Sequence, residues 1–587
     1  MRRWISMLAV GLAATVVVLL AAGTTQAGNP PQRVLGPDGE TADVFSYPDA
    51  IRERVFIPVP GVDSDGDGIP DEMSIDIIRP AETSQGMKVP AIIDPSPYYS
   101  SLGRGNEGQF IHTTAGGALD DFPLFYDNYF VPRGYAVILA DALGTGFSSG
   151  CALHGGPGDV AGFKAVIDWL MGRTPGHDAN GNPVSATWDN GKNAMIGKSY
   201  DGTFANGVAS TGVDGLTTIV PISAISDWYD YSRMGGIRFN THYPASLSNT
   251  IEGLPSSNNT TNLNLLGVLP PEHQQHCAAT RTAMSAAGPN GDGDSDGDID
   301  TFWQARNYNL NVANVKAAVF ESQGLNDDNV RPNHFGQWWA GLSANDVPRK
   351  LWLSQEGHVD PFDYRRSAWV DTLHRWFDHW LYGIPNGIMQ EPEVDIEKAP
   401  NTWETATTWP LSQTRPVDVY LQGTAAGAKG VLSLLSGGRT SSLTFTDANL
   451  SETNYESLAN TQANKLTFLS PPLQHDVRIS GAPVVDIQAA LSKTQSNLSA
   501  LLVDYGGGVL RVFRTSNEGV HNLTTRTCWG DSTTADSACY LDVAETTTTP
   551  SLWRVSKGIL DSSNRDSLFS GLASPVTIGQ TYEFKWP

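Results

Sequence analysis

Ser199 lies in the hexapeptide Gly-Lys-Ser-Tyr-Asp-Gly at residues 197–202, a sequence that could supply a catalytic nucleophile. An apolar run at residues 194–196 precedes it and small residues follow it, which predicts a strand that ends in a sharp turn and opens a helix. Such an elbow requires glycine near the serine, because the strand and helix backbones approach each other closely there. The second glycine lies one residue later than in the usual G-x-S-x-G pattern. The motif predicts a nucleophilic serine, with an ordinary Gly/Ser turn as the alternative.

Two later loops could supply the acid and the base that a serine nucleophile needs. Residues 317–320 predict a buried strand that leads to Asp327, and residues 350–353 predict the next strand, which leads to His358. The order of serine, acid and histidine, each just after a strand, is that of the α/β-hydrolases. We therefore predict a catalytic triad of Ser199, Asp327 and His358. The neighbouring Asp328 is the alternative acid, and a surface-loop histidine is the alternative interpretation of His358.

Further motifs occur in one order along roughly residues 50–400. They lie at residues 126–135 (YDNYFVPRGY), 144–151, 228–233 (WYDYSR), 302–308 and 376–381 (WFDHWL). Together with the serine hexapeptide and the acid loop at residues 324–330, they resemble the Xaa-Pro dipeptidyl-peptidase and cocaine-esterase family of α/β-hydrolases. The resemblance implies an α/β fold in which an α/β-hydrolase core with an inserted cap is followed by an all-β, jelly-roll-like domain.

The same resemblance implies an activity. It points to a secreted serine exopeptidase that releases N-terminal Xaa-Pro dipeptides through an acyl-enzyme, so its partners would be peptides with proline at the second position. No cofactor is required for this chemistry. The alternative is an esterase or an α-amino-acid ester hydrolase that uses the same triad. A non-catalytic binding protein is disfavoured, because all three triad residues are present.

The oxyanion hole and the proline pocket of the family correspond to aromatic residues of this chain. Residues 89–93 predict a strand that leads into a loop, and the resemblance assigns one oxyanion donor to the Tyr98 hydroxyl in that loop. The other donor is the N–H of Tyr200, and Tyr99 is the alternative tyrosine. Trp228 and Tyr231 are assigned to the walls of the proline pocket, since a flat aromatic slot suits a pyrrolidine ring. Ordinary aromatic core packing is the alternative for both. Candidate carboxylates for the substrate's amine are Asp227, Asp230 and Glu252.

The first residues have the pattern of a signal peptide. Arg2 and Arg3 are followed by an apolar stretch at residues 5–22 and by a small-residue cleavage site that ends at Ala27. We predict a cleaved signal peptide and an extracellular protein without stable membrane association. A retained membrane anchor and a twin-arginine signal are the alternatives. The net charge of −24 disfavours nucleic acid as a partner, because a phosphate backbone requires a basic face.

Export would allow the four cysteines to form disulfides. Cys528 and Cys539 are close in the sequence and are predicted to close a small loop. That leaves Cys151 to pair with Cys277, although four cysteines allow three pairings. A zinc site around Cys277 is disfavoured, because no second group of ligands follows it in the sequence.

An acidic segment at residues 63–71 (DSDGDGIPD) places aspartates around glycines, as oxygen-rich calcium loops require. A similar cluster lies at residues 292–300. Neither has the glutamate at the twelfth position of an EF-hand loop. Calcium at either site would be structural, and a solvated acidic turn is the alternative. The predicted calcium ligands of the first segment are Asp63, Asp65, Asp67 and Asp71.

The distribution of elements predicts a division into domains. From residue 417 onward, short strands such as 417–421 and 500–504 alternate with Gly, Asn and Ser turns, which predicts a β-sandwich. Since the proteins it resembles usually continue further, a sandwich without its final strands is one expectation and a complete sandwich is the alternative. A Pro/Thr/Trp-rich linker is predicted at residues 391–415. The predicted segments are a signal peptide (1–27), the first part of the hydrolase core (28–231), a cap insertion (232–312), the second part of the core (313–395) and the C-terminal β-sandwich (413–587).

Overall fold

The structure is a computed structural model in which part of the chain is described. The described residues are 30–99, 112–113, 119–238, 243–257, 276–286, 291–292, 297–423, 429–437, 442–458, 463–512, 518–569 and 573–587. The predicted signal peptide at residues 1–27 lies outside them.

A large mixed sheet forms the core of the protein. The strands up to residue 406 are β1 (Ile51–Pro58), β2 (Glu72–Arg79), β3 (Val89–Ser96), β4 (His112–Thr113), β5 (Leu119–Asp121), β6 (Ala136–Asp141), β7 (Gly176–His177), β8 (Pro183–Val184), β9 (Asp189–Lys198), β10 (Leu216–Ile222), β11 (Arg233–Met234), β12 (Ile237–Arg238), β13 (Ala318–Gly324), β14 (Arg349–Ser354), β15 (Val394–Ala399) and β16 (Thr402–Ala406). Within the described residues, twelve of these strands form one sheet in the order β16-β15-β14-β13-β10-β9-β3-β6-β2-β1-β7-β8.

The central strands of the sheet are parallel. β14, β13, β10, β9, β3 and β6 pair in parallel, whereas β2 joins β6 and β1 joins β2 in antiparallel pairs. Every residue of β3, β6 and β13 is buried, as expected for strands with both faces covered. Because parallel strands end at the same edge of a sheet, the loops that follow β3, β9, β13 and β14 lie side by side.

Helices cover both faces of this sheet. The described helices before residue 400 are α1 (Tyr126–Phe130), α2 (Pro157–Leu170), α3 (Tyr200–Ala209), α4 (Trp228–Ser232), α5 (Pro244–Ser257), α6 (Ala278–Met284), α7 (Thr301–Gln304), α8 (Asn333–Ala344) and α9 (Arg366–Tyr382), while α10 (Glu452–Glu456) lies in the C-terminal part of the chain. One hydrophobic cluster contains Phe163 of α2, Phe204 of α3 and Trp338 of α8. A second cluster contains Trp369 and Trp376 of α9. This arrangement of a mostly parallel sheet between two helical layers is the α/β-hydrolase core that the sequence predicts.

The C-terminal part of the chain is mostly β-structure. Its strands are β17 (Tyr420–Gln422), β18 (Gly430–Ser433), β19 (Phe468–Leu469), β20 (Val485–Ala490), β21 (Asn497–Asp504), β22 (Leu510–Arg511), β23 (Val520–Cys528), β24 (Cys539–Glu545), β25 (Thr547–Thr548), β26 (Trp553–Asp561) and β27 (Thr581–Trp586). We refer to this part as the β domain. The predicted strand at residues 417–421 begins only at Tyr420, so the first three of these residues lie outside the strand.

The prediction of a linker at residues 391–415 is wrong for residues 394–406. β15 pairs in parallel with β14, and β16 pairs antiparallel with β15, so both extend the core sheet. Val394 and Ile396 are buried in a small cluster with Leu351 and Leu353 of β14. The alternation of apolar and polar residues in β15 fits an edge region of a sheet, a pattern that the nearby prolines and threonines obscured.

Both predicted disulfides are present. Cys151 is bonded to Cys277, which ties the core to the described part of the predicted cap, and Cys528 is bonded to Cys539. The zinc site at Cys277, which the sequence already disfavours, is excluded because its sulfur is in a disulfide. Among the residues that the structure describes, no helix has the length and apolar character needed to cross a membrane.

Candidate active site

Ser199 occupies a sharp turn between β9 and α3. Its backbone has φ 62° and ψ −124°, a left-handed conformation that costs a non-glycine residue on the order of 1–3 kcal/mol. A Cβ at Gly197 would lie 2.5 Å from the Cβ of Asp201, and a Cβ at Gly202 would lie 2.5 Å from the carbonyl oxygen of Gly197. Gly202 lies one residue later than the second glycine of the usual pattern, but it allows the same close approach of the strand and helix backbones. The turn holds the serine at the carboxyl edge of the sheet, as a nucleophile elbow requires.

The acid and the histidine are in contact. The Oδ2 atom of Asp327 lies 2.7 Å from Nδ1 of His358, and the carboxylate side chain has no exposed surface. Its other oxygen accepts the N–H groups of Asn329, at 2.9 Å, and of Val330, at 2.8 Å. Asp328 instead points outward with a 57% exposed side chain and pairs with Arg554 at 2.9 Å. Of the two neighbouring carboxylates, the structure places Asp327 against the histidine.

The loops that carry the acid and the histidine are joined to each other by backbone contacts. The N–H of Leu325 donates to the Ser354 carbonyl at 2.9 Å, and the N–H of Asn326 donates to the Glu356 carbonyl at 3.0 Å. A Cβ at Gly324 would lie 2.1 Å from the carbonyl oxygen of Gly357, so this approach needs glycine. Asp327 and His358 are therefore brought together by adjacent strands, β13 and β14, and not by the side chains alone.

The two predicted oxyanion donors lie beside each other. The rings of Tyr98 and Tyr200 are 6.4 Å apart and meet edge to face. Tyr98 follows β3, and Tyr200 is the first residue of α3, whose early N–H groups have no partner within the helix. The alternative tyrosine, Tyr99, is 2% exposed and belongs to the hydrophobic cluster on the α9 face of the sheet. The arrangement favours Tyr98 as the donor.

Trp228 and Tyr231 lie close to these groups but are enclosed. The Trp228 ring has no exposed surface, packs 4.7 Å from the Tyr200 ring and donates its Nε1–H to the Tyr308 hydroxyl at 3.1 Å. The Tyr231 hydroxyl donates to Asn329 in the acid loop at 3.0 Å, and burial raises the pKa of Tyr231 above its usual range. Their role as walls of a proline slot stays a prediction.

The three carboxylates considered for the substrate's amine already have protein partners. Asp227 caps α4 through the N–H of Tyr229, at 2.9 Å. Asp230 accepts from Gln337 at 2.6 Å, and burial raises its pKa. Glu252 pairs with Arg281, and burial raises the pKa of Glu252 to about 7. All three side chains help to hold α4 and the described cap helices in position.

The acidic segment at residues 63–71 forms a compact loop. Carboxylate oxygens of Asp63, Asp65 and Asp71 lie within 4.8 Å of one another, whereas Asp67 is outside this group. Asp63 also accepts backbone N–H groups of its own loop, and Asp71 accepts the Ser64 hydroxyl at 2.5 Å. Calcium binding by this loop stays a prediction. The second acidic cluster lies partly outside the described residues, since 293–296 are not among them.

One polar contact at the site had no signal in the sequence beyond the hexapeptide itself. Lys198, the residue before the nucleophile, donates its Nζ–H to the carbonyl oxygen of His358 at 3.2 Å. This contact links the end of β9 to the histidine loop across β10 and β13. A lysine in a glycine-rich turn predicts only an exposed charge, so its partner could be found only in three dimensions.

Comparison with known proteins gives the family of the chain. Residues 65–360 match the family model "X-Pro dipeptidyl-peptidase (S15 family)", and residues 386–586 match "X-Pro dipeptidyl-peptidase C-terminal non-catalytic domain". A Streptomyces avermitilis protein that is provisionally named a Xaa-Pro dipeptidyl-peptidase is 44% identical over 575 residues, covering 97% of this chain and 80% of that protein. A Bacillus anthracis protein with the same provisional name is 40% identical over 479 residues, 80% of this chain and 76% of that protein.

A solved α-amino acid ester hydrolase has the same fold. Its structure aligns with 96% of this chain and 89% of its own, with a TM-score of 0.54 and 18% sequence identity. Two family models match the chain, and the turn at Ser199 and the pairing of Asp327 with His358 are consistent with them. The chain belongs to the X-Pro dipeptidyl-peptidase (S15) family, whose members are serine peptidases built on an α/β-hydrolase core with a C-terminal β domain.

Proposed function

We propose that this protein is a secreted serine exopeptidase that releases Xaa-Pro dipeptides from the amino terminus of peptides. The observation that carries the proposal is the Asp327–His358 pair, 2.7 Å apart, at the same sheet edge as the strained turn of Ser199. Family membership supports the substrate class. The two disulfides support an oxidising, extracellular location, as does the signal-peptide pattern at the amino terminus.

The arrangement supports a two-step mechanism through an acyl-enzyme. His358 Nε2 takes the proton of the Ser199 hydroxyl as the serine oxygen attacks the scissile carbonyl, while Asp327 holds Nδ1–H and stabilises the imidazolium. The Tyr98 hydroxyl and the Tyr200 N–H stabilise the negative oxygen of the tetrahedral intermediate. The imidazolium then protonates the leaving amine, which departs and leaves the dipeptide esterified to the serine. In the second step, His358 activates a water molecule, and its attack frees the dipeptide and the serine.

Proline specificity is the finer part of the proposal. Trp228 packs against the ring of Tyr200, and Tyr231 donates to Asn329 in the acid loop. The residue before the scissile bond would bind at this place. A slot at this place would position the carbonyl of a proline residue against Ser199, because its apolar walls restrict the rigid pyrrolidine ring. The second candidate is an ester hydrolase with the same triad. The complete burial of the Trp228 ring favours that candidate, since a slot wall would have an exposed face.

A side-by-side assay separates these two functions. The p-nitroanilides of Ala-Pro and Gly-Pro are compared with p-nitrophenyl esters of short acyl groups, with the wild type and with Trp228→Ala and Tyr231→Ala. The peptidase proposal predicts efficient cleavage of the amides, no cleavage of N-acetylated Ala-Pro amide, and a larger loss for the amides than for the esters in both variants. Efficient ester cleavage without amide cleavage, or equal losses for both substrates, would support the ester hydrolase instead.

A further inference from the structure

The backbone of His358 is held on both sides of the residue. Its N–H donates to the carboxylate of Glu518, and its carbonyl oxygen accepts from Nζ of Lys198 at 3.2 Å. Its ring is held separately through Nδ1 by Asp327. The histidine is therefore fixed at three points, and Glu518 supplies the one that comes from outside the hydrolase core.

Glu518 belongs to the β domain and has an unusual backbone. It lies just before β23 and has φ 47°, in the left-handed region that few non-glycine residues adopt. Its carbonyl oxygen accepts the N–H of Gly357 at 3.4 Å, while its side chain accepts the N–H of His358. A Cβ at Gly357 would lie 2.4 Å from Oε2 of Glu518, so only glycine leaves room for the carboxylate. The left-handed backbone of Glu518 and the absence of a side chain at Gly357 together allow this contact.

A buried polar network of one arginine and two carboxyl groups supports the same loop one residue earlier. Arg511 of β22, 1% exposed, lies 2.8 Å from Glu356 in the histidine loop and 2.7 Å from Glu397 of β15. The second oxygen of Glu397 accepts the N–H of Gln355 at 2.8 Å. A Cβ at Gly519 would lie 2.1 Å from Oε2 of Glu356, so the β domain again approaches this loop through a glycine. The histidine loop is thus packed directly against the turn at residues 518–519.

We propose that the β domain is a working part of the catalytic apparatus, in which Glu518 is a positioning residue that fixes the backbone of the general base His358. A hydrogen bond from a backbone N–H to a side-chain oxygen is directional, so the acceptor oxygen of Glu518 fixes the backbone from which the imidazole projects. Arg511 supports this turn through Glu356. The inference rests on the catalytic triad of the proposed function and does not depend on proline specificity.

Three substitutions of Glu518 separate the effect of where its acceptor oxygen lies from the effect of its charge. Glu518→Gln keeps the length and an oxygen acceptor but removes the charge. Glu518→Asp keeps the charge but shortens the side chain by one methylene, about 1.5 Å, which withdraws the acceptor from His358. Glu518→Ala removes the group altogether. Glu583→Ala is the matched control, because Glu583 is an exposed carboxylate on β27 of the same domain.

The readouts are kcat and KM on Ala-Pro-p-nitroanilide and the rate of fluorophosphonate labelling of Ser199, with the melting temperature of each variant. We expect Glu518→Asp and Glu518→Ala to lower kcat and the labelling rate about 10- to 100-fold with little change in KM, since a displaced base slows only the chemical steps. Glu518→Gln and Glu583→Ala should keep rates near those of the wild type. If Glu518→Ala does not fold, the Asp and Gln variants carry the test.

Several results would overturn the proposal. One is a folded Glu518→Asp variant with the rates of the wild type. Another is a Glu518→Gln variant as slow as Glu518→Asp, because an acceptor oxygen at the right place would then not be sufficient. The labelling reaction needs the triad but no peptide substrate. A wild type that is labelled but does not cleave Xaa-Pro amides would therefore refute the proposed specificity, while the labelling rates of the variants would still decide the role of Glu518.

Discussion

Replacing Asp327 with asparagine tests the triad through its hydrogen bonds. One carboxylate oxygen accepts two backbone N–H groups, from Asn329 and Val330, and the other faces His358 Nδ1 at 2.7 Å. In Asp327→Asn, the amide oxygen must stay with the two N–H groups, because a flipped NH₂ would oppose two donors and lose two hydrogen bonds of about 1 kcal/mol each. The NH₂ group therefore faces His358. Nδ1 then becomes the acceptor, the imidazole proton moves to Nε2, and Nε2 can no longer accept the Ser199 proton.

The size of the effect follows from the loss of the base. A wrong tautomer in a Ser-His-Asp triad lowers kcat about 10⁴-fold, which corresponds to about 5.4 kcal/mol of transition-state stabilisation. Because the substitution is isosteric and the two backbone hydrogen bonds remain, KM and the melting temperature should change little. The assay is kcat and KM on Ala-Pro-p-nitroanilide, together with the rate of fluorophosphonate labelling.

Asp328→Asn is the matched control for this experiment. Asp328 is the adjacent residue and carries the same group, but its exposed side chain pairs with Arg554 and not with the histidine. Its substitution should leave kcat within a few-fold of the wild type, since the Asp328 side chain does not contact the histidine and Arg554 keeps Glu452 as a partner. If Asp328→Asn lowers kcat strongly and Asp327→Asn lowers it only slightly, the assignment of Asp327 as the acid is wrong, and so is the tautomer argument.

Three further predictions concern the oxyanion hole, the cap and the domain interface. Tyr98→Phe should lower kcat by about 10²- to 10³-fold with an unchanged melting temperature, and an unaltered kcat would remove Tyr98 from the oxyanion hole. Replacing both Cys151 and Cys277 with serine removes a disulfide that spans 126 residues, which should lower the unfolding free energy by about 2–5 kcal/mol. An unchanged midpoint in a denaturant titration would contradict this prediction. Burial raises the pKa of Glu356 from 4.5 to about 8, so the folded protein keeps a proton that the unfolded chain releases. The stabilisation of the folded protein by this bound proton is present below pH 4.5 and is lost as the pH rises through 8. Glu356→Gln should therefore reduce the fall in melting temperature over this pH range. An equally steep fall in the variant would contradict the assignment.

Local patterns in the sequence were sufficient to predict the elements that carry the triad. The apolar runs before Ser199, Asp327 and His358 correspond to β9, β13 and β14, because strands buried on both faces leave an unmistakable apolar signal. The apolar residues between Val160 and Leu170 follow the helical repeat, and this segment is part of α2. The disulfide pairing also followed from the sequence, as Cys528 and Cys539 are close enough to leave only one other pair.

The contacts between distant segments could not be predicted in this way. Glu518 lies 160 residues after His358, and nothing in the residues around it marks a partner in the hydrolase core. The strands β15 and β16 were missed because they lie at one end of the sheet, where their partly exposed polar residues resemble those of a linker. The burial of Trp228 depends on its packing against Tyr200 and Tyr308, which no local pattern encodes.

We propose that Ser199 releases an N-terminal dipeptide that ends in proline. The most direct measurement is mass spectrometry of a synthetic peptide that begins Ala-Pro, incubated with the wild type and with Ser199→Ala. The proposal predicts loss of Ala-Pro alone from this peptide by the wild type, no loss from its N-acetylated form or from a peptide that begins Ala-Ala, and no reaction with Ser199→Ala. Release of single residues, cleavage of the acetylated peptide, or dipeptide release by Ser199→Ala would contradict it.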